Sequence, residues 1–422
     1  MKALTWLLLG IAASAISWTY MHKVLLPWER YSNVDRGKLK SQMGDLYPRW
    51  VGTRELLLHG KNPYSAEVSH EIQIGFYGHP IEQSYDKPQS EIIDEQRFAY
   101  PIFTVFLLAP TIYVDFESVQ AWAPWVLGAF VLAGLLLWLA LLRWQQPWWV
   151  VVALILIVLS SPQIAQGLRL RQLGLFAVFL LALAAWCVTR NRLGAAGFVL
   201  ALATIKPQMV ALAVAWFLLW SLGDWKRRWT LAGGFVVGLG ALAGAGDLLV
   251  AGWVSYFLDG LEAYRRYFPT TSTLRLILGN WIGGFVSIAA ILVLFGYGWT
   301  RRRVMGDSAD FVQVLSLFFV TSLLVLPLLT PYNQLLLLLP VLTLIRDWTI
   351  LPRWAQAGLS LLAGFPYVVS AILLIYPPQL NAMQRTQLLP SALLLLVPFF
   401  IPIVMFVRSQ KNAPEPSPKR AL

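Results

Sequence analysis

The stretch SVQAWAPWVLGAFVLAGLLLWLALL, residues 118–142, carries no charged side chain along its whole length. An α-helix rises 1.5 Å per residue, so about 20 such residues cross the roughly 30 Å hydrocarbon core of a bilayer. The run therefore predicts a transmembrane helix. Comparable apolar runs lie at residues 4–22, 98–113, 147–162, 172–189, 193–222, 229–251, 280–299, 311–329, 333–346, 354–376 and 388–407.

These runs predict an all-α polytopic membrane protein with about 12 transmembrane segments. The composition agrees, because 58% of the 422 residues are hydrophobic and only 13% are charged, which is too apolar for a soluble domain. We expect residues 1–408 to form one integral-membrane domain and residues 409–422 to be a disordered cytoplasmic tail. The sole cysteine, Cys187, excludes a disulfide framework.

The net charge of +12 is concentrated in short loops, including TRNR at 189–192, WKRRW at 225–229 and TRRR at 300–303. Basic inter-helix loops are typical of the cytoplasmic side of a membrane protein, so the charge indicates topology and not a nucleic-acid partner. With the N-terminus inside, the first helix delivers residues 27–97 to the outer face of the plasma (inner) membrane. This is the one long polar segment of the chain, and we expect the chemistry there.

With this orientation, the number of apolar segments differs by one from the number that would place the basic loops and the tail inside. One apolar segment therefore does not cross the bilayer fully. The candidates are residues 98–113, which begin FAYP, and residues 193–222, whose centre is TIKPQ. Residues 193–205 span only about 20 Å as a helix, short of the bilayer core. We therefore predict a re-entrant pair of half-helices that meet at Lys206 and Pro207.

The polar stretch GDLYPRWVGTRELLLHGKNPYS, residues 44–65, follows the first helix. Apolar residues recur in it with helical spacing, which predicts an amphipathic helix from Leu46 to His59 on the outer membrane surface. Gly60 would end this helix and the NPY sequence at 62–64 would turn the chain. Asp45 stands at the helix start, where it can serve as an N-cap, as a general base, or as both.

This stretch resembles the polar segment of glycosyltransferase family 87, in which an Asp opens an amphipathic helix closed by a Gly-x-Asn-Pro-Tyr turn. Further motifs of that family have counterparts in the same order, and together they cover most of residues 1–350. These are FAYPIFTVFLLAP at 98–110, RLRQLGLF at 169–176, LALATIKPQMVAL at 200–212 and LTPYNQLLLLLP at 329–340.

The resemblance implies the GT-C architecture, a polyprenyl-phosphate-linked sugar donor used on the outer face, and a single catalytic Asp, here Asp45. The expected sugar is mannose or another hexose, with a pentose as the open alternative. The implied partners are the lipid-linked donor, a lipid or glycan acceptor and membrane lipids. The candidate substrate-binding residues within or next to these motifs are Arg49, His59, Asn62, Tyr64, Tyr100, Gln172, Asn333 and Gln334.

The chemistry of such a transfer is consistent with one carboxylate. The leaving phosphate is already stable, so no general acid is required, and one base can take the acceptor proton while in-line attack inverts the anomeric centre. Cations must hold the phosphate. Lys206 is costly within an apolar run and marks a functional position, a snorkelling side chain or an ion pair. Arginines expected on the outer face bind phosphate or are ordinary loop charges: Arg169, Arg171, Arg265, Arg266 and Arg275.

Other function classes have weaker support. The four histidines lack metal-ligand spacing and no glycine-rich nucleotide loop is present, so we expect neither a metal site nor a cofactor. A lipid-linked sugar flippase remains an alternative, although transporters usually show an internal repeat with paired broken helices. An oligosaccharide ligase or polymerase is the alternative among enzymes.

Overall fold

The computed structural model describes residues 2–27, 43–82, 93–267, 271–376, 397–398 and 400–408, and these ranges contain helices and no strand. The predicted tail at 409–422, parts of the predicted outer loop and half of the predicted segment 388–407 lie outside them. The α-helices are α1 Lys2–Tyr20, α2 Leu46–His59, α3 Ala66–Tyr77, α4 Thr104–Leu108, α5 Phe116–Leu141, α6 Trp148–Ser160, α7 Pro162–Arg169, α8 Gly174–Thr189, α9 Leu193–Ala203, α10 Pro207–Leu222, α11 Trp225–Leu249, α12 Trp253–Tyr267, α13 Thr273–Leu278, α14 Asn280–Arg301, α15 Ala309–Val325, α16 Leu338–Arg346 and α17 Arg353–Ile375.

Five helical segments within the described ranges are long and apolar enough to cross a membrane: Leu4–Leu25, which contains most of α1, and α5, α11, α14 and α17. The pair α6 and α7, bent by 59°, is a sixth candidate. Helices α8, α9, α10 and α15 are apolar but shorter. The structure is therefore that of an all-helical membrane protein, while the count of about 12 segments stays a prediction.

Helix breaks are more frequent than the sequence indicated. Both suspected segments are interrupted, because 98–113 contains only the short α4 followed by a 3-10 turn, and 193–222 divides into α9 and α10. Two further breaks are present, one after α6 and one after α15. Residues 331–337, which follow α15, form a 3-10 helix. Pro162, Pro207 and Pro331 each stand at the first turn after a break, where proline is tolerated because its missing N–H has no helical partner.

The bundle is centred on α8, α10 and α15, whose side chains are largely buried. Trp216 of α10 packs against Phe311 and Phe318 of α15, with ring centroids 5.8 and 5.6 Å apart. On one side, α9 crosses α11 so closely that a Cβ at Gly197 would stand 2.0 Å from the carbonyl oxygen of Leu231. Small residues permit this approach, which is a common way for helices to associate in membranes.

The predicted bounds of α2 are confirmed, and Gly60 ends it in the left-handed conformation with φ of 68°. The helix packs against α3 and α4. Nine of its 14 residues are buried, among them Trp50 and Glu55. A surface amphipathic helix would bury one face alone, so the predicted placement on the membrane surface is not confirmed.

Candidate active site

Three helix breaks meet the N-terminus of α2. They are the loop between α7 and α8, the loop between α9 and α10, and the 3-10 helix that follows α15. Each contributes a polar side chain to one network: Gln172, Lys206 and Asn333. Irregular backbone at membrane depth is tolerated where it is buried in protein or lines a cavity, so this convergence marks a site.

Asp45 is held in place by its backbone. Its amide donates to the Leu170 carbonyl over 3.0 Å. Gly44 precedes it with φ of 64°, and a Cβ there would stand 3.0 Å from the same carbonyl oxygen, so a glycine is needed both for the conformation and for the close approach. Asp45 occupies the N-cap position of α2, but its side chain makes no capping hydrogen bond. The carboxylate instead accepts a hydrogen bond from Gln172 Nε2.

Gln172 links the carboxylate to a cation. Its Oε1 accepts a hydrogen bond of 3.2 Å from Lys206 Nζ, and the same nitrogen lies 3.5 Å from Asn333 Oδ1. Asn333 is positioned by Thr330, to which its Nδ2 donates over 2.6 Å. The ring of Tyr332 lies below the ammonium, 4.5 Å from its nitrogen. Asp45 and Lys206 are thus coupled through a neutral amide.

Lys206 is 5% exposed, and within the described residues its partners are two amides and an aromatic ring, with no carboxylate in direct contact. The snorkelling and ion-pair interpretations of this lysine are therefore wrong for the described part of the chain. A buried ammonium held by neutral groups is not fully compensated, and an anion next to it would be stabilised. Gly174 makes room for it, because a Cβ there would lie 3.0 Å from Nζ.

A second cation lies one turn along α2. Arg49 donates from one terminal nitrogen to the Asp45 carbonyl over 2.5 Å and stacks over the Tyr100 ring at 4.6 Å. Its Nε is buried and has no hydrogen-bond partner among the residues that the structure describes. Arg49 and Lys206 together outweigh the charge of Asp45, which favours binding of an anionic group.

Tyr264 of α12 faces the same cluster. Burial raises the pKa of its phenol, and the nearby carboxylates of Asp94 and Asp45 raise it further. Arg49 has the opposite, smaller effect. The phenol therefore stays protonated at neutral pH and can donate a hydrogen bond.

The other predicted phosphate-binding arginines have different surroundings. Arg171 donates to the carbonyls of Gln120 and Arg169, at 3.3 and 2.7 Å, and its Nη1 would stand 3.3 Å from a Cβ at Gly44, next to Asp45. Arg169 ends α7 and is half-buried. The remaining three have exposed side chains, two on α12 and one on α13: Arg265, Arg266 and Arg275.

The predicted residues at the far end of α2 have local partners. His59 Nδ1 lies 2.9 Å from Glu55 Oε2, and the length of α2 separates it from Asp45 by about 20 Å. Asn62 Oδ1 accepts from the Tyr64 amide at 3.0 Å, and Tyr64 donates to the Tyr100 carbonyl at 2.7 Å. Gln334 is buried beside Asn333 in the 3-10 helix.

The sequence analysis missed the supporting residues of the cluster. Tyr264 lies in the stretch YRRYF, where the two arginines drew attention, and Tyr332 was visible only as a neighbour of Asn333. Gly44 precedes Asp45 by one position and Gly174 follows Gln172 by two. A glycine this close to a polar site residue was the available signal for a close backbone approach. Among the described residues, no group of three His, Cys, Asp or Glu side chains is arranged to hold a metal ion.

Residues 98–327 match the family model of glycosyltransferase family 87. The chain belongs to this family. The match covers more than half of the 422 residues, confirms the resemblance to the family, and includes the motifs at 98–110, 169–176 and 200–212. Membership makes the protein a membrane glycosyltransferase with a sugar donor and an acceptor. Searches of curated proteins and of solved structures gave no match. Gln172 and Lys206 lie within the residues that match glycosyltransferase family 87, whereas Asp45 and Asn333 lie outside them.

Proposed function

We propose that this chain transfers a hexose, such as mannose, from a polyprenyl-phosphate donor to a hydroxyl of a lipid-linked or glycan acceptor. The reaction takes place at the outer face of the membrane and inverts the anomeric centre. Asp45 is the general base. The observation that supports this most directly is the network of Asp45, Gln172, Lys206 and Asn333 where the helix breaks meet.

Asp45 suits the role of base because its side chain does not cap α2 and forms no salt bridge with any cation in the part of the chain that the structure describes. Gln172 holds one carboxylate oxygen, Oδ2, and thereby orients the group. The acceptor oxygen forms a bond to the anomeric carbon while the bond from that carbon to the phosphate oxygen breaks. The acceptor proton passes to Asp45, and the polyprenyl phosphate leaves with the electron pair.

Lys206 and Arg49 suit the donor phosphate. In their low-dielectric surroundings, charge-assisted hydrogen bonds to a phosphate are stronger than in water. Both cations contribute most when negative charge develops on the leaving phosphate, which lowers the barrier to bond cleavage. The outward-facing arginines of α12 and α13 then have a lesser role, such as contact with lipid headgroups.

The reaction is tested with purified protein in detergent. The donors are synthetic polyprenyl-phosphate hexoses and the acceptors are alkyl hexosides, with products identified by mass spectrometry. We expect wild-type protein to form a new glycosidic bond and to release polyprenyl phosphate, and we expect a nucleotide sugar not to replace the lipid donor. A protein that moves the intact lipid-linked sugar across liposomes without forming a glycosidic bond is a flippase, and this result would reject the proposal.

The proposed outer location has its own test. His79 is exposed near the end of α3 and Arg303 is exposed after α14, so each accepts a cysteine without loss of packing. In a Cys187→Ala background, an impermeant thiol reagent should label His79→Cys in intact cells and Arg303→Cys only after permeabilisation. The reverse pattern would place the site on the cytoplasmic face.

A further inference from the structure

A small cleft separates α12 from the segment that leads to α4. Its volume is about 110 Å³, and its lining residues are Tyr64, Arg97, Phe98, Tyr256, Asp259 and Gly260. A cleft of this size holds several water molecules. One edge of a sugar ring fits inside while the rest of the ring remains at the mouth.

The lining combines aromatic faces with polar groups. The rings of Tyr64 and Tyr256 are nearly parallel, 20° apart in plane with centroids 6.4 Å apart, and Tyr256 is 44% exposed. The apolar C–H face of a pyranose packs against such a ring. The exposed carboxylate of Asp259 can accept hydrogen bonds from sugar hydroxyls, and Arg97, whose Nε is paired with Glu95, can donate from its terminal nitrogens. A pocket with an apolar wall and a few convergent polar groups is typical of small-ligand sites.

The cleft is connected to the candidate active site along two paths. Tyr64 donates to the Tyr100 carbonyl at 2.7 Å, and the Tyr100 ring lies under Arg49. On α12, Gly260 lies one helical turn, about 6 Å, before Tyr264, on which Asp45 acts electrostatically. The cleft and Asp45 are therefore joined by two short series of interacting residues.

We propose that this cleft binds a non-reacting sugar of the acceptor, next to the unit whose hydroxyl is deprotonated by Asp45. The inference rests on the proposed function and extends it to the acceptor class, which is a glycan of at least two sugar units. Arg97, Tyr256 and Asp259 then determine acceptor specificity without taking part in the bond-forming step.

Gly260 allows the cleft to be filled selectively. A Cβ at this position meets no atom within 4 Å, so a larger side chain enters open space without displacing the backbone. Gly260→Leu should occupy the cleft. Gly260→Ala is the matched control, because it adds one carbon and favours the helix. Asp259→Asn is a second variant, which keeps the shape of an exposed side chain and removes its charge.

The experiment compares an alkyl dihexoside with the alkyl monohexoside of the same sugar as acceptors, at a fixed concentration of the lipid donor. We expect kcat/KM of the wild type to favour the dihexoside by about tenfold, the effect of one or two additional hydrogen bonds and a ring contact. Gly260→Leu should lose this preference, Gly260→Ala should keep it, and Asp259→Asn should reduce it. The monohexoside rate should be the same in all four proteins.

Saturation-transfer NMR of the dihexoside separates the two proposals, since it reports binding without turnover. Contact of the protein with the second sugar ring that is abolished in Gly260→Leu supports the cleft as a subsite. If this contact is seen but no sugar transfer is detected, the subsite stands and the proposed function is wrong. A wild type that transfers the sugar with equal kcat/KM to both acceptors, or a Gly260→Leu variant that keeps the preference, would overturn the subsite.

Discussion

Two aspartates of this protein lie beside buried cations and are paired in opposite ways. Asp347 contacts its cations directly: Arg346 binds both carboxylate oxygens at 2.8 and 3.1 Å, and Arg408 binds Oδ2 at 2.5 Å. Asp45 is separated from Lys206 by the amide of Gln172. Roughly 20 Å of helix separates Asn333, which belongs to the Asp45 cluster, from Asp347.

The difference separates a structural ion pair from a site prepared for a ligand. At Asp347 each charge has a partner, and the network continues from Arg408 to Gln313, which fixes the last described helix, residues 400–408, against α15. At Asp45 the proposed function assigns the second carboxylate oxygen to a substrate proton and the ammonium of Lys206 to the donor phosphate. Charges without a compensating partner are costly to bury and are typical of functional positions.

The largest effect is expected from Asp45→Asn, which preserves shape and the contact with Gln172 but removes the base. Loss of a general base lowers turnover by about 10²- to 10⁴-fold. The measurement is kcat for transfer from the lipid donor, with thermal unfolding as the control for folding. An Asp45→Asn protein with wild-type kcat would show that another group takes the proton.

Asp347→Ala should act on stability instead, because it leaves Arg408, which is 2% exposed, without its carboxylate. Removal of one partner from a buried pair lowers the free energy of unfolding by about 3 kcal/mol. Donor affinity and kcat at 20 °C should be retained. The control is Asp307→Ala, whose exposed pair with Arg143 contributes less than about 1 kcal/mol. Equal losses in the two variants would contradict the structural role of Asp347.

Lys206→Met tests the opposite half of the comparison, since it keeps the apolar stem and removes the charge. A charge-assisted contact with a phosphate contributes roughly 1.5 to 3 kcal/mol, so donor affinity or turnover should fall by about 10- to 100-fold. Removal of an uncompensated buried charge should leave the unfolding temperature unchanged or higher. A marked loss of stability with full activity would make Lys206 a structural residue.

The smallest effect is expected from pH. Burial alone would raise the pKa of Asp347, but the hydrogen bond from Arg346 and the charge of Arg408 together hold that pKa below its ordinary value. The contribution to stability is therefore complete above the ordinary Asp pKa of about 4 and is lost as the pH falls through the lowered value. Unfolding temperatures of wild type and Asp347→Ala should converge as the pH drops below 4, and a constant difference between pH 7 and pH 3 would rule this out.

Much of the site was visible in the sequence because each residue carries a local signal. Lys206 is conspicuous in an apolar run, and Asp45 precedes a periodic helix that ends at a glycine. Arg265, Arg266 and Arg275 carry a similar signal, positive charge in a segment that the sequence predicts to be on the outer face, but their side chains are exposed. Periodicity and composition do not distinguish a cation that points into the bundle from one that points out of it.

The sequence by itself determined the membrane class, the limits of α2 and the break at Lys206 and Pro207. These features depend on hydrophobic run length, a glycine cap and the lack of an N–H in proline, which act within a few residues. The tertiary structure alone decided which polar groups meet. Asp45 and Gln172 are 127 positions apart, as are Lys206 and Asn333. Such contacts arise when helices pack and bring their breaks to one depth, and no local pattern of residues specifies that packing.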